Sequence, residues 1–185
     1  MISDEQGITL LKIAREVIDS KFKGIEFILS DKFKEEFKKD TGCFVTLVLN
    51  GKLRGCIGYA EPTFPLYKAL IDSAKNAAFS DPRFPAITEK EWNKIKVEVT
   101  VLSKPELIKV NNPEEYITKI EIGKHGLIIE REYKKGLLLP QVPVEWKWGV
   151  KEFLEHTCSK ANLPVDIWMD KETKVYWFEG NVFSE

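Results

Sequence analysis

The chain has 185 residues, of which 43% are hydrophobic and 31% are charged. This size and composition let a chain bury enough apolar surface to fold, which excludes a disordered protein. Its 28 basic and 29 acidic residues leave a net charge of −1, so it lacks the basic field that nucleic-acid binding needs. We therefore expect one domain over residues 1–185, with room for a small second lobe, and no nucleic-acid partner.

Apolar runs and cysteines predict where the protein resides. The longest apolar runs are far shorter than the roughly 20 residues that span a bilayer, so no membrane association is expected. The first residues lack the features of a signal peptide. Three widely spaced cysteines, Cys43, Cys56 and Cys158, do not suggest a disulfide framework, which favours the reducing cytoplasm. The abundance of Lys and Glu and the scarcity of Gln are typical of thermophile proteins.

The first elements along the chain are two helices. Ser3 and Gln6 form a capping-box pattern, and the apolar spacing behind them predicts a helix to about residue 20. The charged stretch 31–40 predicts a second, short amphipathic helix.

A hairpin, a helix and a strand come next. Residues 43–59 are β-rich around Asn50-Gly51, a pair that favours the positive φ angles of a tight turn. A helix is expected to begin after Pro65 and to stop at Asp81-Pro82. Strict alternation over 94–103 predicts a half-buried strand.

The same order of elements then recurs. The elements are a short helix at Asn112-Pro113, a hairpin over 126–139, a helix over 149–161 and a strand over 174–183. Lys134-Lys135-Gly136 is expected near the hairpin turn. Strand-strand-helix-strand thus occurs over 42–103 and again over 126–183, although the two halves share negligible identity. This duplication predicts an α+β fold of sandwich type, with antiparallel sheets and helices packed on one face.

The string Leu53-Arg54-Gly55-Cys56-Ile57-Gly58 is the strongest candidate for chemistry. Strand alternation places Arg54 and Cys56 on one face, with their α-carbons about 7 Å apart. A guanidinium in that position favours the thiolate of Cys56, which is the reactive form. Gly55 and Gly58 provide bare backbone that either a ligand or a packed helix requires. The alternative is a buried structural cysteine.

The hexapeptide resembles the signature of the AMMECR family. Three further segments are similar to family motifs, in the family's order: Phe79-Ser80-Asp81-Pro82-Arg83-Phe84-Pro85, Leu138-Leu139-Pro140-Gln141-Val142 and Glu152-Phe153-Leu154-Glu155-His156-Thr157-Cys158. The resemblance implies an intracellular α+β sandwich domain. It also implies Memo-like and radical SAM proteins as partners, because some prokaryotic relatives are associated with them. It implies no particular activity.

Four more residues are candidates for ligand binding. Asp81 and Arg83 flank a proline, where they either contact a substrate or simply end a helix and form an ion pair. Gln141 and Glu145 lie beside two tryptophans, which either wall a pocket or anchor the core.

The duplication predicts how these candidates meet. The strand with residues 54–58 corresponds to the strand that runs through 136–141, and equivalent strands of duplicated units often face each other. We therefore expect a cleft lined by 54–58 and 140–146 and closed on one side by 81–84, which is the usual form of a small-molecule site.

Three classes of function stay open. In the first, Cys56 is an enzyme's nucleophile, Arg54 lowers its pKa or holds an anionic substrate, and His125 or His156 is the base. In the second, the protein is a non-catalytic adaptor. In the third, it binds RNA, which its charge disfavours. The sequence contains no C-x-x-C, H-x-x-x-H or glycine-rich phosphate loop, so we predict no metal and no cofactor.

Overall fold

The computed structural model describes residues 2–185 and divides them into two compact units. Unit 1 comprises residues 2–102 and 181–185, and unit 2 comprises Ser103–Gly180. Each unit has antiparallel strands, helices packed on them and a hydrophobic cluster of its own. The predicted α+β class with antiparallel sheets is confirmed.

Unit 1 begins with the two expected helices. Helix α1 spans Asp4–Phe22; the Ser3 hydroxyl accepts a hydrogen bond from the Gln6 N–H, and the Gln6 side chain accepts one from the Ser3 N–H. Helix α2 spans only Asp31–Glu36, which is shorter than predicted. The chain leaves the helical conformation at Phe37, where φ is −108° and the ring is buried in the core.

The hairpin and the elements after it form the sheet of unit 1. The turn is Asn50-Gly51, with φ angles of 51° and 74°, as predicted. The elements are β1 (Cys43–Leu49), β2 (Lys52–Tyr59), α3 (Leu66–Phe79), α4 (Glu89–Trp92) and β3 (Ile95–Leu102). Strand β1 pairs with β2 on one side and β3 on the other, so β2 has a free edge. Helix α3 packs on β1 and β2.

Unit 2 repeats this connection with a different hairpin turn from the one expected. The elements are β4 (Glu106–Leu107), a 3₁₀ turn (Pro113–Glu115), α5 (Tyr116–Lys119), β5 (His125–Arg131), β6 (Lys134–Leu138), α6 (Gln141–Trp146), α7 (Val150–Lys160) and β7 (Lys174–Ser184), of which residues 174–180 belong to unit 2. Strand β5 pairs with β6 and β7, as β1 pairs with β2 and β3. Arg131 pairs with Lys134, so the turn is Glu132-Tyr133 and Gly136 lies inside β6.

Two glycines show how closely the units correspond. A Cβ on Gly55 in β2 would lie 2.1 Å from the Ala77 carbonyl oxygen near the end of α3. A Cβ on Gly136 in β6 would lie 2.5 Å from the Ala161 nitrogen, just after α7. In both units, the end of the helix therefore rests directly on the second strand of the hairpin, where only glycine fits.

Candidate functional site

Arg54 is the extra residue of a β-bulge in β2. Leu53 and Gly55 pair with the adjacent residues Val48 and Leu47 of β1, which leaves Arg54 without a partner in the register. A bulge interrupts the alternation of strand faces. The alternation argument that placed Arg54 and Cys56 on one face therefore does not hold here.

The Arg54 guanidinium is bound to Glu91. Its Nε and Nη2 atoms donate to the carboxylate at 2.9 and 3.3 Å, and Nη1 donates to the Pro85 carbonyl at 2.9 Å. The bonds from Arg54, with further ones from Thr88, lower the pKa of Glu91 to about 2. Arg54 thus holds the 85–91 segment against β2, and all three of its guanidinium nitrogens are engaged.

Cys56 faces Thr46 across the hairpin. The two residues are partners in the register, and Thr46 Oγ1 lies 3.2 Å from Cys56 Sγ. Because Gly55 faces α3, its neighbour Cys56 projects from the other side of the sheet. The Cys56 thiol is half-buried and free, whereas Cys43 and Cys158 are buried.

Burial makes the other two thiols poor nucleophiles. It raises the pKa of Cys43 to about 12 and that of Cys158 to about 11. Their thiolate fractions near neutral pH are correspondingly small. Cys56 is therefore the cysteine that is best placed to react.

Asp81 and Arg83 bind the backbone of Cys56 along the free edge of β2. The Cys56 N–H donates to Asp81 Oδ2 at 2.8 Å, and the Cys56 carbonyl accepts from Arg83 Nη2 at 2.8 Å. The two side chains also bind each other, since Arg83 Nε and Nη2 donate to the carboxylate at 3.0 and 2.8 Å. Together they take the place of a neighbouring strand. We call Cys56, Asp81 and Arg83 the edge cluster.

Arg83 and Asp81 form an ion pair in the edge cluster, and Arg83 is its exposed partner. The pKa of the buried Asp81 carboxyl lies well below its usual range, mainly because Arg83 donates hydrogen bonds to it. The Asp81 carboxylate in turn raises the pKa of Arg83, and the Cys56 side chain adds to that increase. Arg83 Nη1 makes no hydrogen bond to any residue from 2 to 185. It is therefore available to an anion.

Two stretches that carry the family resemblance meet at this edge. The hexapeptide 53–58 forms part of β2, and the 79–85 segment runs beside it. The Phe84 ring centroid lies 6.0 Å from the guanidinium carbon of Arg54 and 5.5 Å from that of Arg83, within cation–π range. Phe84 thus helps to hold both arginines in place.

The two glycines of the hexapeptide serve the packing of the chain itself. Gly55 lies under α3, so a packed helix and not a ligand requires its bare backbone. A Cβ on Gly58 would lie 2.3 Å from the Cys43 carbonyl oxygen and 2.5 Å from the Phe44 ring. The space beside each glycine is therefore filled by protein atoms.

Gln141 and Glu145 lie in unit 2, on α6, and both are exposed. Nearby, Trp148 stacks on His156 with ring centroids 3.8 Å apart, and Trp146 stacks on Trp148 at 6.0 Å. Trp146 is 67% exposed and is not a core anchor, whereas Trp148 packs against the unit 2 core. The roles of Gln141 and Glu145 in ligand binding stay predictions.

The other candidate base, His125, is also in unit 2. It is buried, and its Nδ1 accepts a hydrogen bond from the Glu121 N–H at 3.0 Å. Among residues 2–185, no three His, Cys, Asp or Glu side chains form a group that could hold a metal ion. Nor is any helix of this part of the chain long and apolar enough to cross a membrane.

Sequence reasoning missed Thr46 because of the bulge. A regular hairpin around Asn50-Gly51, in which Leu49 pairs with Lys52, would place Val45 opposite Cys56. The extra residue in β2 shifts the register by one and brings Thr46 there instead. The sequence gives a weak indication of Glu91, because Thr88 and Glu91 have the spacing of a capping box. No local pattern, however, links Glu91 to Arg54.

Comparison with known proteins agrees with this architecture. The AMMECR1 family profile matches residues 11–183. The chain belongs to the AMMECR1 family. Protein NEQ441 of Nanoarchaeum equitans is 48% identical over 179 residues, which cover 96% of this chain and 99% of that protein. Protein MJ0810 of Methanocaldococcus jannaschii is 47% identical over 187 residues, which cover 100% of this chain and 92% of that protein.

A solved relative has the same fold. The crystal structure of the uncharacterized protein PH0010 from Pyrococcus horikoshii matches with a TM-score of 0.84 and 45% identity, over 100% of this chain and 93% of that one. Relatives of this AMMECR1-family chain include proteins of thermophiles, as its composition suggested.

Proposed function

We propose that the edge cluster of this AMMECR1-family domain binds a small anionic molecule, and that Cys56 acts there as a nucleophile. The observation that carries the proposal is the place of Arg83, whose guanidinium is bound to the Cys56 carbonyl and to a buried carboxylate. Its Nη1 atom is available for a carboxylate or phosphate group. Cys56 carries the half-buried free thiol of this cluster, whereas Cys43 and Cys158 are buried.

The proposal changes the role that the sequence suggested for Arg54. Arg54 is a positioning residue, because its guanidinium is bound to Glu91 and Pro85. Arg83 replaces it as the residue that binds the anion beside Cys56. We retain Gln141 and Glu145 as proposed ligand contacts, and residues 1–185 as one family domain of the cytoplasm.

Charge-selective alkylation tests the proposal. The rates of carboxymethylation by anionic iodoacetate and of carbamidomethylation by neutral iodoacetamide are measured at each cysteine by peptide mass spectrometry. We expect Cys56 to react fastest with both. Arg83→Met should lower the iodoacetate rate relative to the iodoacetamide rate by about fivefold, the effect of one partly exposed charge worth about 1 kcal/mol.

Two matched variants serve as controls. Arg83→Lys keeps a positive charge and should retain most of the preference for iodoacetate, whereas Arg54→Met should change it less than twofold. A larger effect of Arg54→Met than of Arg83→Met would overturn the assignment. Labelling of Cys56 no faster than that of Cys43 would favour a structural cysteine. If Cys56 is the fastest-reacting cysteine, a metabolite-binding screen with Cys56→Ser as reference would identify the ligand.

A second candidate function is that of an adaptor for Memo-like and radical SAM partners, which the family resemblance implies. It is favoured by the exposed apolar surface of α6, where Val144 is 54% and Trp146 is 67% exposed. Exposed tryptophan side chains are enriched at protein interfaces. Val144→Ser with Trp146→Ser should weaken partner binding and leave Cys56 alkylation unchanged if the protein is an adaptor.

A further inference from the structure

Cys56 belongs to a row of three polar side chains across the sheet of unit 1. Thr46 in β1 pairs with Cys56 in β2 on one side and with Glu98 in β3 on the other. Residues that pair directly in adjacent strands project from the same face. A thiol, a hydroxyl and a carboxylate therefore lie in line, on the face opposite α3.

Glu98 is the carboxylate at the inner end of this row. It is half-buried, and its carboxylate makes no ion pair or hydrogen bond to any residue from 2 to 185. Most other carboxylates near β2 are paired, since Asp81 binds Arg83 and Glu91 binds Arg54. A partly buried carboxylate gains from a cation that restores what it has lost in hydration.

Opposite charges thus lie on the two sides of the thiol. Arg83 lies beyond the free edge of β2, and Glu98 lies two strands inward on β3. Neighbouring strands are about 4.8 Å apart, so the two charges belong to positions about 14 Å apart across the sheet. An extended chain of three residues, at about 3.3–3.6 Å per residue plus a contact at each end, spans such a distance.

We infer that the ligand is a short linear zwitterion about the length of a tripeptide. Its carboxylate binds Arg83, its ammonium group binds Glu98, and its middle lies over Cys56 and Thr46. This inference rests on the proposed function of the edge cluster and names the class of molecule that it takes.

Protection of Cys56 from iodoacetamide tests the inference with three probes. Triglycine is the zwitterion, N-acetyl-triglycine lacks the ammonium group, and triglycinamide lacks the carboxylate. We expect triglycine to protect Cys56 at concentrations at least fivefold lower than either of the other two. Glu98→Gln should make triglycine and N-acetyl-triglycine equivalent. Glu16→Gln on the exposed side of α1 is the matched control and should keep the preference for triglycine.

The outcomes separate this inference from the proposed function. Two results would show that the inferred zwitterionic ligand is wrong while the proposed anion binding is retained. One is equal protection of wild-type Cys56 by triglycine and N-acetyl-triglycine, and the other is a preference for triglycine that persists in Glu98→Gln. If Arg83→Met also leaves the iodoacetate preference unchanged, the proposed function fails as well. Protection by triglycinamide as strong as that by triglycine would remove Arg83 from ligand binding.

Discussion

The two units share one strand connection and differ in the segment after their main helix. After α3 in unit 1, Asp81 and Arg83 turn back and bind the edge backbone of β2 at Cys56. After α7 in unit 2, the chain instead places Leu163 and Trp168 against the core. One arrangement of strands thus supports a polar edge in one unit and an apolar segment in the other. The residues after the helix, and not the topology, decide which unit has the candidate site.

The largest expected effects test the equivalence of the two units. Gly55→Ala and Gly136→Ala should each lower the free energy of unfolding by about 3 kcal/mol, because the new methyl group meets helix backbone in both. Urea unfolding measures both variants. Gly149→Ala is the control, since the nearest atom to its Cβ lies at 3.8 Å, and it should cost about 1 kcal/mol or less. A Gly136→Ala variant as stable as the control would show that the contact between helix and strand differs between the two units.

The edge cluster should stabilise unit 1, whereas in unit 2 the apolar segment after α7 stabilises the fold by packing against the core. Asp81→Asn should lower the free energy of unfolding by about 2–3 kcal/mol, because it weakens charge-assisted bonds to a buried group. Arg83→Met combined with Asp81→Asn should cost less than the sum of the two single variants. Strict additivity in urea unfolding would show that the two side chains do not act as a pair.

The two units should also respond to acid in different pH ranges, and Glu91 governs the lower range in unit 1. Its pKa is about 2 in the folded state against an ordinary value of 4.5, so it stabilises the fold above pH 4.5 and this contribution is lost as the pH falls towards 2. Glu91→Gln should cost about 1 kcal/mol at pH 7, since the pair is partly exposed. Urea unfolding at pH 7 and pH 3 should show the two proteins converging in acid. An unchanged difference at pH 3 would contradict this.

The smallest effect concerns His125 in unit 2. Burial and then Lys124 lower its pKa below 6.5, although Glu179 and Glu121 oppose the shift. Neutral His125 therefore stabilises the fold above pH 6.5, and the contribution is lost as the pH falls through its lowered pKa. His125→Gln should flatten the change in unfolding free energy between pH 7.5 and pH 5.5. The same slope in both proteins would show that His125 does not set it.

Local signals predicted most elements, and those that they missed depend on distant contacts. The capping boxes and the Asn50-Gly51 turn act within a few residues, so the sequence alone reveals them. Strand β4 has only two residues and exists through its pairing with β7. The sequence did not predict helix α6, whose segment contains Pro140 and Pro143. Both prolines are compatible with the helix. Pro140 precedes it, and Pro143 lies in its first turn, where a backbone N–H has no partner within the helix.

The sequence by itself determined which groups the site contains, because residue type and spacing identify the cysteine, the arginines and the turn that ends α3. Only the tertiary structure decided which arginine lies beside the thiol. The bulge at Arg54 shifts the register of β2, turns that guanidinium to Glu91 and brings Thr46 opposite Cys56. Arg83 reaches Cys56 from 27 residues further along the chain. Contacts of that range depend on how α3 packs over Gly55, which no local pattern of residues encodes.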